Sequence, residues 1–426
     1  MQIFKPIITS NLLKFSLIIT LSILLYACNS NYIQIPKDSL PEGDISAQDE
    51  ISETQINIDE LLVEKEIIQI VDELDLKKIA ILLPMTGRYS KIGKAIFQGI
   101  ELELNNKRNN IPKLTIHDTG DENINLKKVY NEMLDQNYDY IIGPLQKDLI
   151  SKILKYGSES LPILTLNYLN NFKGLKQGVH QFGLLPEDES ICIAEKAIID
   201  GNNNASIFYP DNIWGKRIAG SFSLRYKELG GKIIDTSIYT KDDEQNNISI
   251  RNLLKIEDSI NRKKNLENIL KIKLQYKPFI SNDLNMIFSV GTSKDMRVIK
   301  PQFNFNYAED IPFYSTSHIY SGVKDKEKNQ DLNNIKFCDI PWLYNSKNLK
   351  TKTILRRSSD KKDLLRFVAI GMDAVKIIYN IRNLENNKKK FLLGDTGYLK
   401  LDEFNRIRRH LIIVRFKNGQ ARKIPF

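Results

Sequence analysis

Residues 78–104 read KIAILLPMTGRYSKIGKAIFQGIELEL, and the period of the apolar residues changes part-way along. Ile79-Ala80-Ile81-Leu82-Leu83 is a continuous apolar run too short for a helix. Such a run suits a strand of a parallel sheet that is covered on both faces. Pro84, Gly87 and Ser90 punctuate a loop, and from Lys91 onward Ile92, Ala95, Ile96 and Ile100 recur at helical spacing, giving one apolar face. Strand, short loop and helix make the opening unit of an open α/β sheet. Ligands of such sheets sit beyond the carboxyl ends of the strands, which places the first candidate loop at residues 85–91.

The alternation continues outward from that unit. Residues 113–117 and 139–142 predict strands with a helix over 125–134 between them, followed by a helix over 149–156 and a strand over 161–166. This order implies a parallel sheet with right-handed crossovers. A short strand over 181–185 leads through Pro186-Glu187-Asp188-Glu189 into a helix over 190–200. The pattern then repeats with a strand over 205–209, a helix over 215–229 and strands over 232–239 and 286–290. Residues 240–284 are polar and break the pattern; 250–256 and 266–274, separated by Arg262-Lys263-Lys264, read as an inserted helix pair. Beyond lie strands over 311–316 and 335–339, a long helix over 363–382, and Gly394-Asp395-Thr396-Gly397 opening a hairpin of 398–401 with 411–416. Some 350 residues exceed one ordinary core and imply two lobes.

Several segments narrow the reading. The opening stretch resembles the start of a type I periplasmic binding protein. Asp139-Tyr140-Ile141-Ile142-Gly143-Pro144-Leu145, Pro162-Ile163-Leu164-Thr165-Leu166-Asn167-Tyr168-Leu169, and Gln181-Phe182-Gly183-Leu184 with the acidic Pro186–Glu189 turn follow in order. Tyr314-Ser315-Thr316-Ser317-His318-Ile319-Tyr320-Ser321-Gly322 and Phe337-Cys338-Asp339-Ile340-Pro341-Trp342-Leu343 complete the set. Together they resemble the penicillin-binding protein activators, outer-membrane lipoproteins that switch on a peptidoglycan synthase, over residue 77 to the C-terminus. The resemblance implies an α/β, two-lobed type I periplasmic-binding-protein fold, each lobe a mainly parallel sheet flanked by helices. It implies lobe 1 from 77–187 with 312–393, and lobe 2 from 188–311 with 394–426. Asn405 stands at the family's turn glycine, and Asn tolerates positive φ better than other residues with a side chain.

The N-terminal part differs in composition. Residues 1–27 read as a lipoprotein signal peptide: Lys5 and Lys14 flank the apolar core 15–25, and Leu25-Tyr26-Ala27-Cys28 has the form of a lipobox. Cys28 is the expected lipidated residue, and several acyl chains on it would hold the chain stably at a membrane. Asn29, where an Asp would favour the inner membrane, fits the periplasmic face of the outer membrane. Residues 28–76 form an expected acidic tether, with thirteen Asp and Glu against Lys37 and Lys65 between residues 29 and 76 and no Phe or Trp. Its first half is expected to be disordered, and 58–74 has the spacing of one acidic helix. The larger activators carry a helical repeat domain at this position. Fully extended, a tether of this length would reach roughly 160–170 Å.

The whole chain carries +10, which leaves about +19 for residues 77–426 once the signal and tether are set aside. A surface that basic suits an acidic protein partner or an anionic wall or lipid surface, or is simply a solvated Lys-rich face. Nucleic acid is not an expected partner of an exported, lipid-anchored chain. Cys192 falls in an expected helix of lobe 2 and Cys338 on an expected strand of lobe 1, so two buried free thiols are expected rather than a bridge.

Four histidines, no His-x-x-x-His or Cys-x-x-Cys spacing and no Gly-x-Ser-x-Gly elbow leave an enzyme reading with little support; no catalytic residue, metal or cofactor is expected. A solute receptor is the rival. Amino-acid receptors of this fold place a Ser where Gln146 or Lys147 stands here, and their following Thr is replaced by Asn167-Tyr168-Leu169, so their clamp is not visible. The remaining cleft candidates are Arg88, Tyr89, Ser90, Asn167, Tyr168, Trp214, His318 and Tyr320. His318 reads either as a cleft group or as a side chain bonded at its own tight turn, and Trp214 as a cleft wall or a helix-start core residue. Basic clusters at Arg356, Arg357, Lys361 and Lys362, at Lys388-Lys389-Lys390, and at Arg406, Arg408 and Arg409 are candidate partner surfaces, acting mainly on association rate. By resemblance the partner is a bifunctional penicillin-binding protein, with peptidoglycan as a further contact. The chain is then a non-enzymatic activator of wall synthesis; the alternative is a periplasmic receptor for an amino acid, peptide or wall fragment.

Overall fold

The computed structural model describes residues 66–68, 70, 73–107, 111–169, 177–322, 325–345 and 364–426. Cys28, the signal segment, the tether up to residue 65, and Arg356, Arg357, Lys361 and Lys362 lie outside them.

Lobe 1 is built on β1 (Lys78–Leu83), β2 (Lys113–Asp118), β3 (Tyr140–Ile142), β4 (Ile163–Thr165) and β5 (Val179–Gln181). All pair in parallel, in the order β2-β1-β3-β4-β5. The apolar run of β1 serves both faces, as a buried parallel strand must. Ile79, Ile81 and Leu83 pack against α1 (Ser90–Leu104), while Ala80 and Leu82 pack against α2 (Leu126–Asp135) and α3 (Lys147–Ile153). A second helix, α9 (Leu365–Tyr379), returns to lie against α1. Gly99 and Gly371 let the two backbones touch, because a Cβ on either would run into a carbonyl of the other helix.

The chain crosses at residues 182–185 into α4 (Pro186–Ile199), where Pro186 at the first turn and three acidic residues suit the helix N-terminus. Lobe 2 follows with β6 (Asn204–Pro210), α5 (Ile213–Glu228), β7 (Lys232–Tyr239), α6 (Asp243–Leu253), α7 (Ile256–Leu270), β8 (Met286–Ser289), α8 (Ser293–Phe305), β9 (Phe313–Thr316) and β10 (Lys336–Asp339). After α9 come α10 (Ile381–Asn386), β11 (Leu392–Leu393), β12 (Tyr398–Leu401), β13 (Ile407–His410), β14 (Ile412–Lys417) and β15 (Gln420–Ile424). The lobe 2 sheet has the order β15-β14-β10-β9-β8-β6-β7, parallel from β10 to β7 and antiparallel at β14 and β15. Ile207, Phe288, Tyr314 and Ile413 face α4 and α5, while Phe208, Ile287, Phe313 and Val414 face the side of α6 and α8.

Several expectations are corrected here. β9 and β10 belong to the seven-stranded sheet, so the chain re-enters lobe 1 only at α9. A short apolar run covered on both faces reads alike in either sheet, which is why periodicity could not assign it. With β10 in lobe 2, Cys338 lies beside Cys192 of α4, and the two form a disulfide rather than free thiols. The stretch 394–410 also changes side: β11, β12 and β13 form a separate sheet whose Leu399, Leu401 and Ile407 join the lobe 1 core. The hairpin partner of 398–401 is therefore 407–410 rather than 411–416. Asn405, with φ 55°, does sit in the left-handed turn between them.

The tether ends earlier than residue 76. The Phe391 amide donates to the Glu66 carbonyl at 2.9 Å, the Ile68 amide donates to the Phe391 carbonyl at 2.8 Å, and the Leu74 amide donates to the Tyr379 carbonyl at 3.0 Å. Ile68 and Leu76 are buried in the lobe 1 core. Of the expected acidic helix 58–74, the described residues 66–68, 70, 73 and 74 are not helical. Lys390 of the 388–390 cluster faces this segment, 3.3 Å from Glu66.

Candidate functional site

The carboxyl ends of the strands of both sheets border one cleft of about 1040 Å³, the location that open α/β sheets reserve for ligands. From lobe 1 the loops after β1, β3 and β4 bring Tyr89, Gln146 and Asn167 to it. From lobe 2 the turns after β8 and β9 bring Thr292, Ser317, His318 and Tyr320. Glu189 from the start of α4 and Arg366 from the start of α9 reach it from the crossings.

Its polar groups are largely spent on the protein itself. The Gln146 amide donates to the Thr119 carbonyl and accepts from the Thr119 hydroxyl, both at 3.0 Å. The Asn167 side chain donates to the Leu145 carbonyl at 3.3 Å and accepts from the Tyr168 amide at 2.9 Å. Ser317 donates its amide and its hydroxyl to the two Glu189 oxygens, at 2.7 and 2.9 Å. Arg366 donates to both Asp339 oxygens at 2.9 and 2.7 Å, and Asp339 also accepts from the Tyr344 hydroxyl and the Ile340 amide. A planar guanidinium held in this bidentate way is fixed in place.

The electrostatics follow from burial. Burial pushes Glu189 up to about 7, against the pull of Arg409. Burial, helped by the Arg366 guanidinium, pushes His318 below its ordinary value, so the 3.7 Å approach of His318 to Glu189 is not a charged pair near neutral pH. Burial works against the Arg366 charge, but Asp339 outweighs it and holds the guanidinium above its ordinary value.

Of the sequence-derived candidates, Tyr89, Asn167, His318 and Tyr320 line the cleft. Arg88 and Ser90 do not line it; Arg88 instead packs over the Tyr89 ring at 5.4 Å. Tyr168 is turned into lobe 1, where its hydroxyl donates to the Ile407 carbonyl at 2.5 Å. Trp214 stands edge-on behind His318, ring centres 5.1 Å apart. His318 takes both of its expected roles, since it lines the cleft while its Nδ1 is 3.2 Å from the Thr316 hydroxyl at its own turn.

Glu189 and Arg366 were missed by the sequence reading. The one signal for Glu189 was its place in the Pro186–Glu189 turn; Arg366 carried none. The turn bearing Thr292 was missed with the whole of α8, although Thr292 and Asp295 form a capping box there.

The basic cluster 406–409 is corrected as a partner surface. Arg408 meets the buried Asp188 at 2.6 Å, Arg409 meets it at 3.3 Å and donates to the Leu185 carbonyl at 3.0 Å, and Arg409 is itself buried. Arg406 is half-buried, with one nitrogen 3.4 Å from the Leu169 carbonyl. Arg408 and Arg409 tie β13 to the start of α4. Within lobe 1, Asp373 of α9 accepts from the Asp395 amide and from the Thr396 amide and hydroxyl, while Lys376 pairs with Asp395 at 2.6 Å.

Residues 62–419 match the profile of the family described as “LppC putative lipoprotein”. The chain belongs to that family. Curated relatives include the penicillin-binding protein activator LpoA of Vibrio antiquarius, 25% identical over 81% of this chain and 58% of the relative. That of Vibrio vulnificus is 25% identical over 76% and 54%. The chain thus spans a little over half the length of these relatives. Among solved structures it is similar to the C-domain of LpoA from Haemophilus influenzae, described as a regulator of PBP1A. The TM-score is 0.65 at 20% identity, over 82% of this chain and all of that one. A solute-binding protein from R. palustris in complex with 4-hydroxybenzoate also aligns, with TM-score 0.51 at 13% identity over 82% and 96%. The expected family and the two-lobed type I binding-protein fold are borne out.

Proposed function

We propose that this protein is a lipid-anchored, non-enzymatic activator of a bifunctional penicillin-binding protein, held on the periplasmic face of the outer membrane through Cys28. The observation that carries the reading is the cleft. It keeps the position and size of a ligand site, yet Gln146, Asn167, Glu189 and Arg366 each hydrogen-bond within the protein instead of waiting for a solute. A receptor needs such groups unspent and two lobes that open; here the buried Asp188, just after the first crossing, is held by Arg408 and Arg409 of β13. A body of this kind suits a rigid docking module, which shifts a synthase by binding its active conformers more tightly than its resting ones. The family match and the names of the relatives support the same reading. The partner face then includes Arg356, Arg357, Lys361 and Lys362, with peptidoglycan as a further contact.

The test is glycan-strand synthesis by the penicillin-binding proteins of the same cell, with and without the full chain. A rise in the rate for one synthase, reduced by salt, supports the reading. No effect on any of them, with a bound amino acid or wall peptide found in the purified protein by mass spectrometry, would install the receptor in its place.

A further inference from the structure

The insertion of lobe 2 takes no part in the cleft. Ile256 and Ser259 bury one face of α7, and the segment after the helix folds back along it. The Leu274 amide donates to Glu267 at 2.8 Å, the Tyr276 hydroxyl to Ser259 at 2.5 Å, and the Phe279 amide to Ser259 at 3.1 Å. Arg262, Leu266 and Ile269 follow at helical spacing and share one stripe. Leu266, Ile269, Leu270, Ile272 and Phe279 are all exposed, Ile269 by 74%. Exposed large apolar side chains this close together in the chain mark this flank of the insertion as an interaction site. Between Arg262 and Lys277 there are six basic residues and a single acidic one, Glu267, and that acid is already paired with Lys263 at 3.3 Å.

We propose that this flank is a membrane-docking surface for anionic phospholipid, with the isoleucines and Phe279 entering the headgroup boundary and the surrounding lysines meeting the phosphates. Two observations favour a bilayer over a protein partner. The apolar side chains protrude, whereas protein partners anchor such groups in matching pockets; a bilayer asks for no matching shape. The lysines interleave with the apolar residues through Lys271-Ile272-Lys273, the pattern of interfacial amphipathic segments. The proposal goes beyond the activator reading, because it needs no synthase and is tested without one.

The test uses the full lipidated chain in vesicles of phosphatidylethanolamine with phosphatidylglycerol. An environment-sensitive dye is attached at Ile269→Cys or, as control, at Lys128→Cys on α2; Cys192 and Cys338 are bridged and do not compete for it. Quenching by brominated acyl chains should be at least about threefold stronger at 269 than at 128, and Lys271→Glu with Lys273→Glu should abolish the difference. Equal quenching at the two positions overturns the proposal. So does a dye response at 269 that arises only when a penicillin-binding protein is added.

Discussion

Two charged regions of this chain meet opposite fates. Around the start of α4, Asp188 and Glu189 are buried and bound by Arg408, Arg409 and Ser317, next to the disulfide of Cys192 with Cys338. On α7 and the segment after it, a comparable density of charge faces solvent around exposed apolar residues. The first region fixes the body and the second is left over for something outside it. Burial turns a charge into a structural element, because an unpaired ion costs too much away from water, whereas exposed charges contribute little to stability.

Four measurements would break or sharpen that contrast. Asp188→Ala leaves the buried Arg409 and the half-buried Arg408 without their carboxylate and should cost about 3–5 kcal/mol, read from urea unfolding. Loss smaller than about 1 kcal/mol would mean that this junction is no more built than the surface. Removing the disulfide by Cys192→Ala with Cys338→Ala should cost about 2–5 kcal/mol, with the unfolding midpoint of the wild type made sensitive to reductant and that of the variant not.

Glu189 supplies a pH test. Its folded value near 7 lies above its ordinary 4.5, so folding takes up a proton between those values. The associated stabilisation is fully present below about 4.5 and is lost as pH rises through 7, an effect on the order of 1–3 kcal/mol. Glu189→Gln should flatten that part of the stability-against-pH curve; an unchanged slope would place the titration elsewhere. At the small end, Lys271→Glu with Lys273→Glu on the insertion should move stability by no more than about 0.5 kcal/mol, measured by the same urea midpoints.

How much of this was legible beforehand divides along the same line. The strand β1 and helix α1 were plain, because a both-face apolar run and a helical stripe each have their own period. Strand β7 was read at its observed bounds for a similar reason. Helix α8 was not, since Pro301 and Lys300 disturb its apolar spacing and only the Thr292 to Asp295 box signals its start. In the cleft, Tyr89, Asn167, His318 and Tyr320 were found from their loops. Tyr168 was misjudged because neighbouring residues on one loop point opposite ways, and Arg366 was invisible because its partner Asp339 is 27 residues away.

The sequence by itself determined the family, the α/β alternation, the two lobes and the left-handed turn at Asn405, all of which follow from local period, turn chemistry and quoted segments. Only the tertiary structure decided which sheet receives β9 and β10, and therefore that Cys192 meets Cys338. It also decided that Arg409 is buried and Arg408 half-buried against Asp188, while Lys271 and Lys273 face solvent. The physical reason is that sheet membership and burial depend on partners distant in the chain, and a run of residues carries its period with it but not the identity of what will cover it.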